Sequence, residues 1–197
     1  MAIDYCSVED VKLYLSIHVD DDNALLERLA SAATAIINVR TKRNFGEPVA
    51  ETTKTYFTCG NISGYRNLNL WVSDDMLTVS AITNAFGDSI PLGDVYILPF
   101  NSELKTNITI KTASQKVWGY GNVDETVTIT GKFAYSLLVP EDIRQAAIRL
   151  VAWMYRQKDG GADLDRPLLS GDGTVILPAH LPHDVEMYIK PYIKESA

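Results

Sequence analysis

One stretch limits what this chain can become more than any other: VTITGKFAYSLLVPEDIRQAAIRLVAWMYRQ, from Val127 to Gln157. Val127, Ile129 and Gly131 alternate with Thr126, Thr128 and Thr130, the period of two that marks a strand with one wet face. The strand is expected to end at Gly131. Pro140 then stands where a helix tolerates proline best, in the first turn, where its missing N–H would have had no partner. Glu141 and Asp142 follow and suit the positive end of the helix dipole. Ile143, Ala146, Ala147, Leu150, Val151 and Met154 form one apolar stripe at helical spacing, and Asp159, Gly160 and Gly161 stop it. From Pro140 to Gln157 such a helix is about 27 Å long at about 1.5 Å per residue. The class expected for the whole chain is α+β, a small helical bundle with an inserted antiparallel β domain and an extended C-terminal arm.

The rest of the chain sorts around that junction. Ser7 precedes Val8, Glu9 and Asp10, so its hydroxyl caps a short helix from about Val8 to Ser16, with Val8, Val11, Leu15 and Tyr14 as its apolar side. Asn23 begins a second, longer helix to about Arg40, with Leu25, Leu26, Leu29, Ala32, Ala33, Ile36 and Ile37 as its stripe. It matches the Pro140 helix in length and is a natural partner for it. Thr41, Lys42, Arg43 and Asn44 complement the negative end of its dipole.

Between Phe45 and Lys132 the composition turns to β. Six segments, near Thr52–Cys59, Asn67–Val72, Leu77–Phe86, Asp94–Leu98, Ile108–Thr112 and Glu125–Thr130, are β-branched or aromatic, with glycines and Asp88 between them. They suit a small antiparallel sandwich or barrel inserted between helices. Trp118, Tyr120 and Tyr96 are candidates to line a pocket there, although aromatics in such a position more often build core or interface.

After Gly161 the sequence ADLDRPLLSGDGTVILPAHLPHDVEMYIKPYIKESA carries four prolines and no long helical period. It reads as an arm: a turn at Gly171, Asp172 and Gly173, a short strand over Val175 to Leu177, and a helical turn from Asp184 to Ile189 before Pro191. Leu168, Leu169, Val175, Ile176, Leu177, Leu181, Met187, Tyr188, Ile189, Tyr192 and Ile193 are too many apolar side chains for a solvated tail. Covering each large one fully is worth about 1.5 to 3 kcal/mol, so a partner is expected to cover them.

Composition narrows the function. The 197 residues are 46% hydrophobic, enough for a sizeable core, and the formal net charge of -7 opposes gripping nucleic acid through its phosphates. An acidic wall beside a passing duplex suits a conduit better than a clamp. The start, MAIDYCSVED, lacks the pattern of a signal peptide, and no run is apolar enough to span a bilayer, so a cytosolic origin is expected. Cys6 and Cys59 lack metal or redox spacing and read as reduced, structural thiols, with a single disulfide left open.

Catalytic and metal patterns are weak. Asp20, Asp21 and Asp22 are adjacent, without the alternation and central glycine of a calcium loop, and read better as a helix cap. His180, His183 and Asp184 lack the i, i+4 spacing of a zinc helix, and Pro182 interrupts them. There is no phosphate-cradling glycine loop and no nucleophile elbow. The expectation is a protein that is not an enzyme and uses no cofactor and no metal.

Three blocks resemble the head-tail connector, or adaptor, proteins of tailed bacteriophages and gene transfer agents. The first is SVEDVKLYLSI with DDDNALLERLASAATAIINVRTKRNF, from Ser7 to Phe45. The second is GKFAYSLLVPEDIRQAAIRLVAWMYRQKDG, from Gly131 to Gly160, in which Ala134 stands where many relatives have glycine. The third is DGTVILPAHLPHDVEMYIKPY, from Asp172 to Tyr192, similar to the C-terminal arm of longer members. The resemblance implies a structural virion protein, a ring, dodecameric in the family, beneath the portal that links capsid to tail. DNA would pass through its lumen without sequence-specific binding. It implies a helical core from 1–45 and 131–160, an inserted β domain from 46–130, and an arm from 161–197 docking on portal or neighbouring subunits. Leu168, Leu169, Val175, Ile176, Leu177, Leu181, Tyr188 and Tyr192 are the partner-binding candidates. Implied partners are the portal, a stopper or tail-completion protein and other copies of the chain, with no membrane. The implied location is the neck of the virion, after synthesis in the cytoplasm of the bacterial host. Alternatives are a stopper or tail-completion protein of the same neck, or a hydrolytic or carbohydrate-binding protein built on the β insertion.

Overall fold

The computed structural model describes residues 4–159, 168–169, 175–176 and 181–194. The fold is α+β, and the chain divides into two compact units: Asn44–Leu138, and Asp4–Arg43 with the described residues from Val139 onward.

The first unit is all β apart from short 3-10 turns. Seven strands run β1 (Thr52–Phe57), β2 (Ile62–Ser63), β3 (Asn69–Met76), β4 (Thr78–Thr83), β5 (Val95–Leu98), β6 (Lys105–Ile110) and β7 (Thr126–Lys132). Two antiparallel sheets result, ordered β1-β7-β4 and β2-β3-β6-β5. The six expected segments are all found; the two-residue β2 is additional, too short to leave a periodic signal. Strand β7 has the expected alternation, with Val127, Ile129 and Gly131 buried and the threonines half-buried, but runs on to Lys132 because that residue pairs with Thr78.

The inward side chains of both sheets form one core, including Leu70, Val72, Ile108 and Ile110 from one sheet and Tyr56, Ile82, Val127 and Ile129 from the other. This is sandwich packing. Trp118 joins that core at 1% exposure, its indole N–H donating to the Leu68 carbonyl at 2.7 Å, so it lines no open pocket. Buried Tyr56 satisfies its hydroxyl by donating to Asp74 at 2.9 Å, and burial with that neighbouring carboxylate pushes its ionisation up. At Gly131 two backbones come unusually close: a Cβ there would lie 2.0 Å from the Thr78 carbonyl oxygen. A register irregularity in β4 between Val79 and Ala81 faces it.

The second unit is helical, with α1 (Val8–Leu15), α2 (Asn23–Thr41), α3 (Glu141–Asp159) and α4 (His183–Ile189). Ser7 caps α1 as expected: its hydroxyl accepts from the Asp10 N–H and the Asp10 carboxylate accepts from the Ser7 N–H, each at 3.1 Å. Tyr14 is exposed rather than part of the apolar side, which Val11 alone buries completely. Helix α3 starts at Glu141, leaving Pro140 just outside, with its carbonyl accepting from Arg144 N at 2.9 Å. The α3 stripe is buried from Ile143 to Val151, and Ile148 and Ala152 are buried beside it. Three helices surround it, since α1, α2 and α4 all pack on α3.

The stripe on α2 differs from expectation. Leu26, Ala33 and Ile37 are buried, but Ala30, Thr34 and Thr41 complete the inner face, while Ala32 is exposed and Leu25, Leu29 and Ile36 are half-buried. Apolar residues occur around most of this helix, so composition does not fix which side turns inward. Threonine was overlooked because it is polar, yet Thr41 satisfies its hydroxyl against the Ile37 carbonyl at 2.8 Å and can be buried.

Candidate functional site

The partner-binding candidates fall in the C-terminal segment. Leu168–Leu169 and Val175–Ile176 form a two-stranded antiparallel ladder, Leu168 opposite Ile176 and Leu169 opposite Val175. Leu177, the turn at 171–173 and His180 lie outside the described residues.

From Leu181 onward the segment belongs to the helical unit. Helix α4 buries Val185 and Ile189 completely or nearly so, at 0% and 2% exposure, and packs on α3. The arm therefore covers part of its own apolar surface, which corrects the expectation that a partner must cover Ile189. Tyr188 is half-buried, while Met187 and Ile193 stay exposed. The hydroxyl of half-buried Tyr192 donates to Asp142 at 3.3 Å, and its carbonyl accepts from the Arg43 guanidinium at 2.9 Å. A further backbone bond runs from Lys194 N to the Thr41 carbonyl at 2.9 Å.

Charge completes the attachment. The Arg149 guanidinium bridges the Asp184 carboxylate and the Tyr14 hydroxyl, the latter at 2.5 Å. Both partners hold Arg149 more firmly in its charged form, Tyr14 contributing most. Arg40 pairs with Glu186 at 3.3 Å with both side chains about half exposed. Tyr155 donates to Asp22 at 2.6 Å, so at least one member of the acidic triplet serves helix packing. Among the described residues no group of three metal-ligating side chains converges. Asp184 is engaged with Arg149 and His183 is exposed.

Two concave surfaces stand out. On the helical unit, Ala35, Ile36, Val39, Arg40 and Leu181 line an apolar groove of about 610 Å³. It places one expected partner-binding residue, Leu181, beside four α2 side chains that are not among the candidates. On the β unit, Tyr65 and Tyr96 flank a cleft of about 300 Å³ with Asn69 and Thr109 among its lining. Lys111 sits over the Tyr96 ring at 4.9 Å. Tyr120 lies elsewhere in that unit, edge-on to Phe86 at 5.1 Å and largely exposed. Close by, the Glu125 carboxylate accepts from the N–H groups of Tyr120 and Gly121 and from the Asn122 amide, at 2.6, 3.2 and 2.7 Å. Desolvation works to raise this carboxyl, but those donors outweigh it and hold it below the usual carboxylate range. The cluster closes a loop.

Cys6 and Cys59 are free thiols. Cys6 is buried, and desolvation, with Asp10 and Asp4 nearby, pushes it up to about 12. Cys59 is exposed, contrary to the structural role expected of it.

No protein-family model matches the chain, and no curated relative does. Solved structures do. A chain in the neck of an empty GTA particle, computed with C6 symmetry, matches with TM-score 0.60 and 17% identity over 96% of this chain and 90% of that one. The neck of a native GTA particle, computed with C12 symmetry, gives TM-score 0.54 and 18% identity over 100% and 97% of the two chains. The virion of a native gene transfer agent (GTA) particle gives 0.53 and 19% over 91% and 81%. From its first helix to its C-terminal segment, this protein has the fold of a chain found in the necks of those particles.

Proposed function

We propose that this chain is a structural component of the neck of a phage-like particle, a head-tail adaptor that forms a ring below the portal. The observation that carries the reading is the end-to-end match, 100% of this chain against 97% of a chain from a C12 neck. A likeness of that extent includes both units and the C-terminal segment. The resemblance of the three sequence blocks points the same way independently.

In this reading the helical unit, Asp4–Arg43 with the described residues from Val139 onward, is the rigid body of the ring, and Asn44–Leu138 is a β domain carried on it. The segment from 161–197 docks on the portal or on neighbouring subunits, with Leu168, Leu169, Val175, Ile176, Leu177, Leu181, Tyr188 and Tyr192 as anchors. Apolar and aromatic side chains in desolvated pockets usually dominate such contacts. Tyr192 is already bonded to Asp142, so it contributes either as part of a preformed surface or by exchanging that bond for one to the partner. No catalysis is required. DNA passes through the lumen, and with a net charge of -7 the wall repels rather than holds it.

Electron microscopy of the full chain with the portal of its own particle tests this. A closed ring seated on the portal is the expected result, with carboxylates lining the bore. A chain that neither rings nor binds the portal, or a strongly basic bore, would overturn it. A stopper or tail-completion role predicts binding to the far side of such a ring instead.

A further inference from the structure

Helix α2 carries two apolar faces, one buried in the unit and one that the described residues cover only in part. The inner face holds Leu26, Ala30, Ala33 and Ile37. The outer one follows a different register, Leu25, Leu29, Ala32, Ile36 and Val39, the 4-3-4-3 spacing of a helix seam. Val39 on it is 79% exposed, and its C-terminal half opens into the groove beside Leu181. Among the described residues of the same unit one apolar side chain is still more exposed, Leu13 on α1 at 84%.

We propose that these are the two halves of a head-to-tail contact between copies of this chain, with Leu13 of one copy entering the α2 groove of the next. The inference rests on the ring reading above, and it names where neighbours meet. Closed rings need two different patches on each subunit. Here the patches are well separated. The Lys12 ammonium donates to the Asn23 side-chain oxygen at 3.1 Å, which fixes the end of α1 at the start of α2. Val39 lies towards the other end of α2, about 24 Å along the helix at about 1.5 Å per residue.

Charge selects the pairing. Glu9 stands one turn before Leu13 on the same face of α1; Asp20 in the following loop is already paired with Lys12 at 2.6 Å, and Asp21 beside it is exposed. The groove end carries exposed Lys42 together with Arg40, which pairs with Glu186, and Arg43, whose guanidinium donates to the Tyr192 carbonyl, so positive groups still predominate there. Separations of this size exceed a Debye length of about 8 Å at physiological salt, so one subunit's two ends barely sense each other. They complement those of a neighbour at contact distance. Size agrees too. Ala35 leaves a hollow between Ile36, Val39 and Leu181, and about 610 Å³ admits a leucine together with the helical turn that bears it.

Disulfide trapping decides the matter in full-length chains with Cys59→Ser, where the remaining thiol, Cys6, is buried. Leu13→Cys combined with Val39→Cys is expected to give a ladder of cross-linked multimers under mild oxidation. Chains bearing only one of the two cysteines should give dimers only when the two kinds are mixed. Leu13→Glu and Val39→Glu, both at exposed positions, should each weaken self-association about tenfold or more, and their mixture should stop at dimers. No ladder, or cross-linking of Val39→Cys chains to one another as readily as to Leu13→Cys chains, overturns the contact. Rings seen by electron microscopy without the ladder would sink this contact and leave the ring reading intact. A ladder of open chains that never close would do the reverse.

Discussion

The β unit and the helical unit solve the same problem, closing a core, in different ways. In the β unit two sheets face one another, and large side chains such as Trp118, Ile108 and Ile129 are buried to 1% exposure or less. In the helical unit the central helix α3 is covered on several sides, yet the last element, α4, is fixed by two fully buried side chains and a set of partly exposed polar links. Burial of apolar area is insensitive to salt, whereas exposed ion pairs are screened and each is worth little. The β unit has partly exposed ion pairs of its own, Lys54 with Asp74 at 2.7 Å and Lys132 with Glu47 at 2.8 Å, but they lie over a core that packing already closes. The helical unit keeps a terminal element that ionic conditions can loosen, a sensible property for a segment proposed to engage a partner.

Substitutions can break this contrast in graded steps. Trp118→Ala removes the largest fully buried side chain and one of two donors to the Leu68 carbonyl, which keeps the Ile110 N–H at 2.9 Å. A loss of about 3 to 5 kcal/mol is expected, read as faster amide exchange in β3, β6 and β7. Ile189→Ala should cost about 2 to 4 kcal/mol locally, releasing α4 amides while β-strand protection is unchanged. If α4 stayed protected, the helix would be held by more than its two buried anchors. Ser7→Ala should cost about 1 kcal/mol, visible as fraying of α1 by amide exchange. Smallest of all, Arg40→Gln should change stability by about 0 to 1 kcal/mol in low salt and by nothing measurable in about 1 M salt.

Titration sharpens the contrast from another side. A thiol-reactive dye at pH 8 should label Cys59 quickly and Cys6 only on unfolding, because burial holds Cys6 protonated up to about 12. Its folded value lies above the ordinary 9.0. The contribution is present below about pH 9 and is lost as pH rises from there through the folded value, since the unfolded chain then releases the proton first. Labelling of both thiols at equal rates in the folded protein would contradict the burial described for Cys6.

Sequence carried much of this fold because local rules and tertiary structure agree in most places. Ser7 with Asp10, the alternation through β7 and the stripe on α3 are all determined by residues within a few positions of one another. Failures occur where the deciding partner is distant. Arg149 meets Asp184 and Tyr14 across 35 and 135 positions, and no window contains such a pair. The available clue was an arginine between the apolar positions of the α3 stripe, at the edge of a buried face. The α2 face differs from expectation because alanine and leucine surround the helix, while Thr41, which bonds back to the Ile37 carbonyl, and Thr34, which accepts from the Tyr5 N–H, read as polar. The arm was read as wholly dependent on a partner because composition reports how much apolar surface exists and not where the chain turns to cover it. Leu168, Leu169, Val175, Ile176 and Leu177 keep their proposed role on sequence alone.

The close approach at Gly131 bears on how this protein can vary. With an added Cβ only 2.0 Å from the Thr78 carbonyl oxygen, alanine already collides with main chain, which no rotamer change can relieve. In a library randomised at that codon, only one of twenty amino acids should survive selection for folding. The neighbouring threonines, half in water, should accept many replacements, so a single rigid slot is set within an otherwise permissive strand.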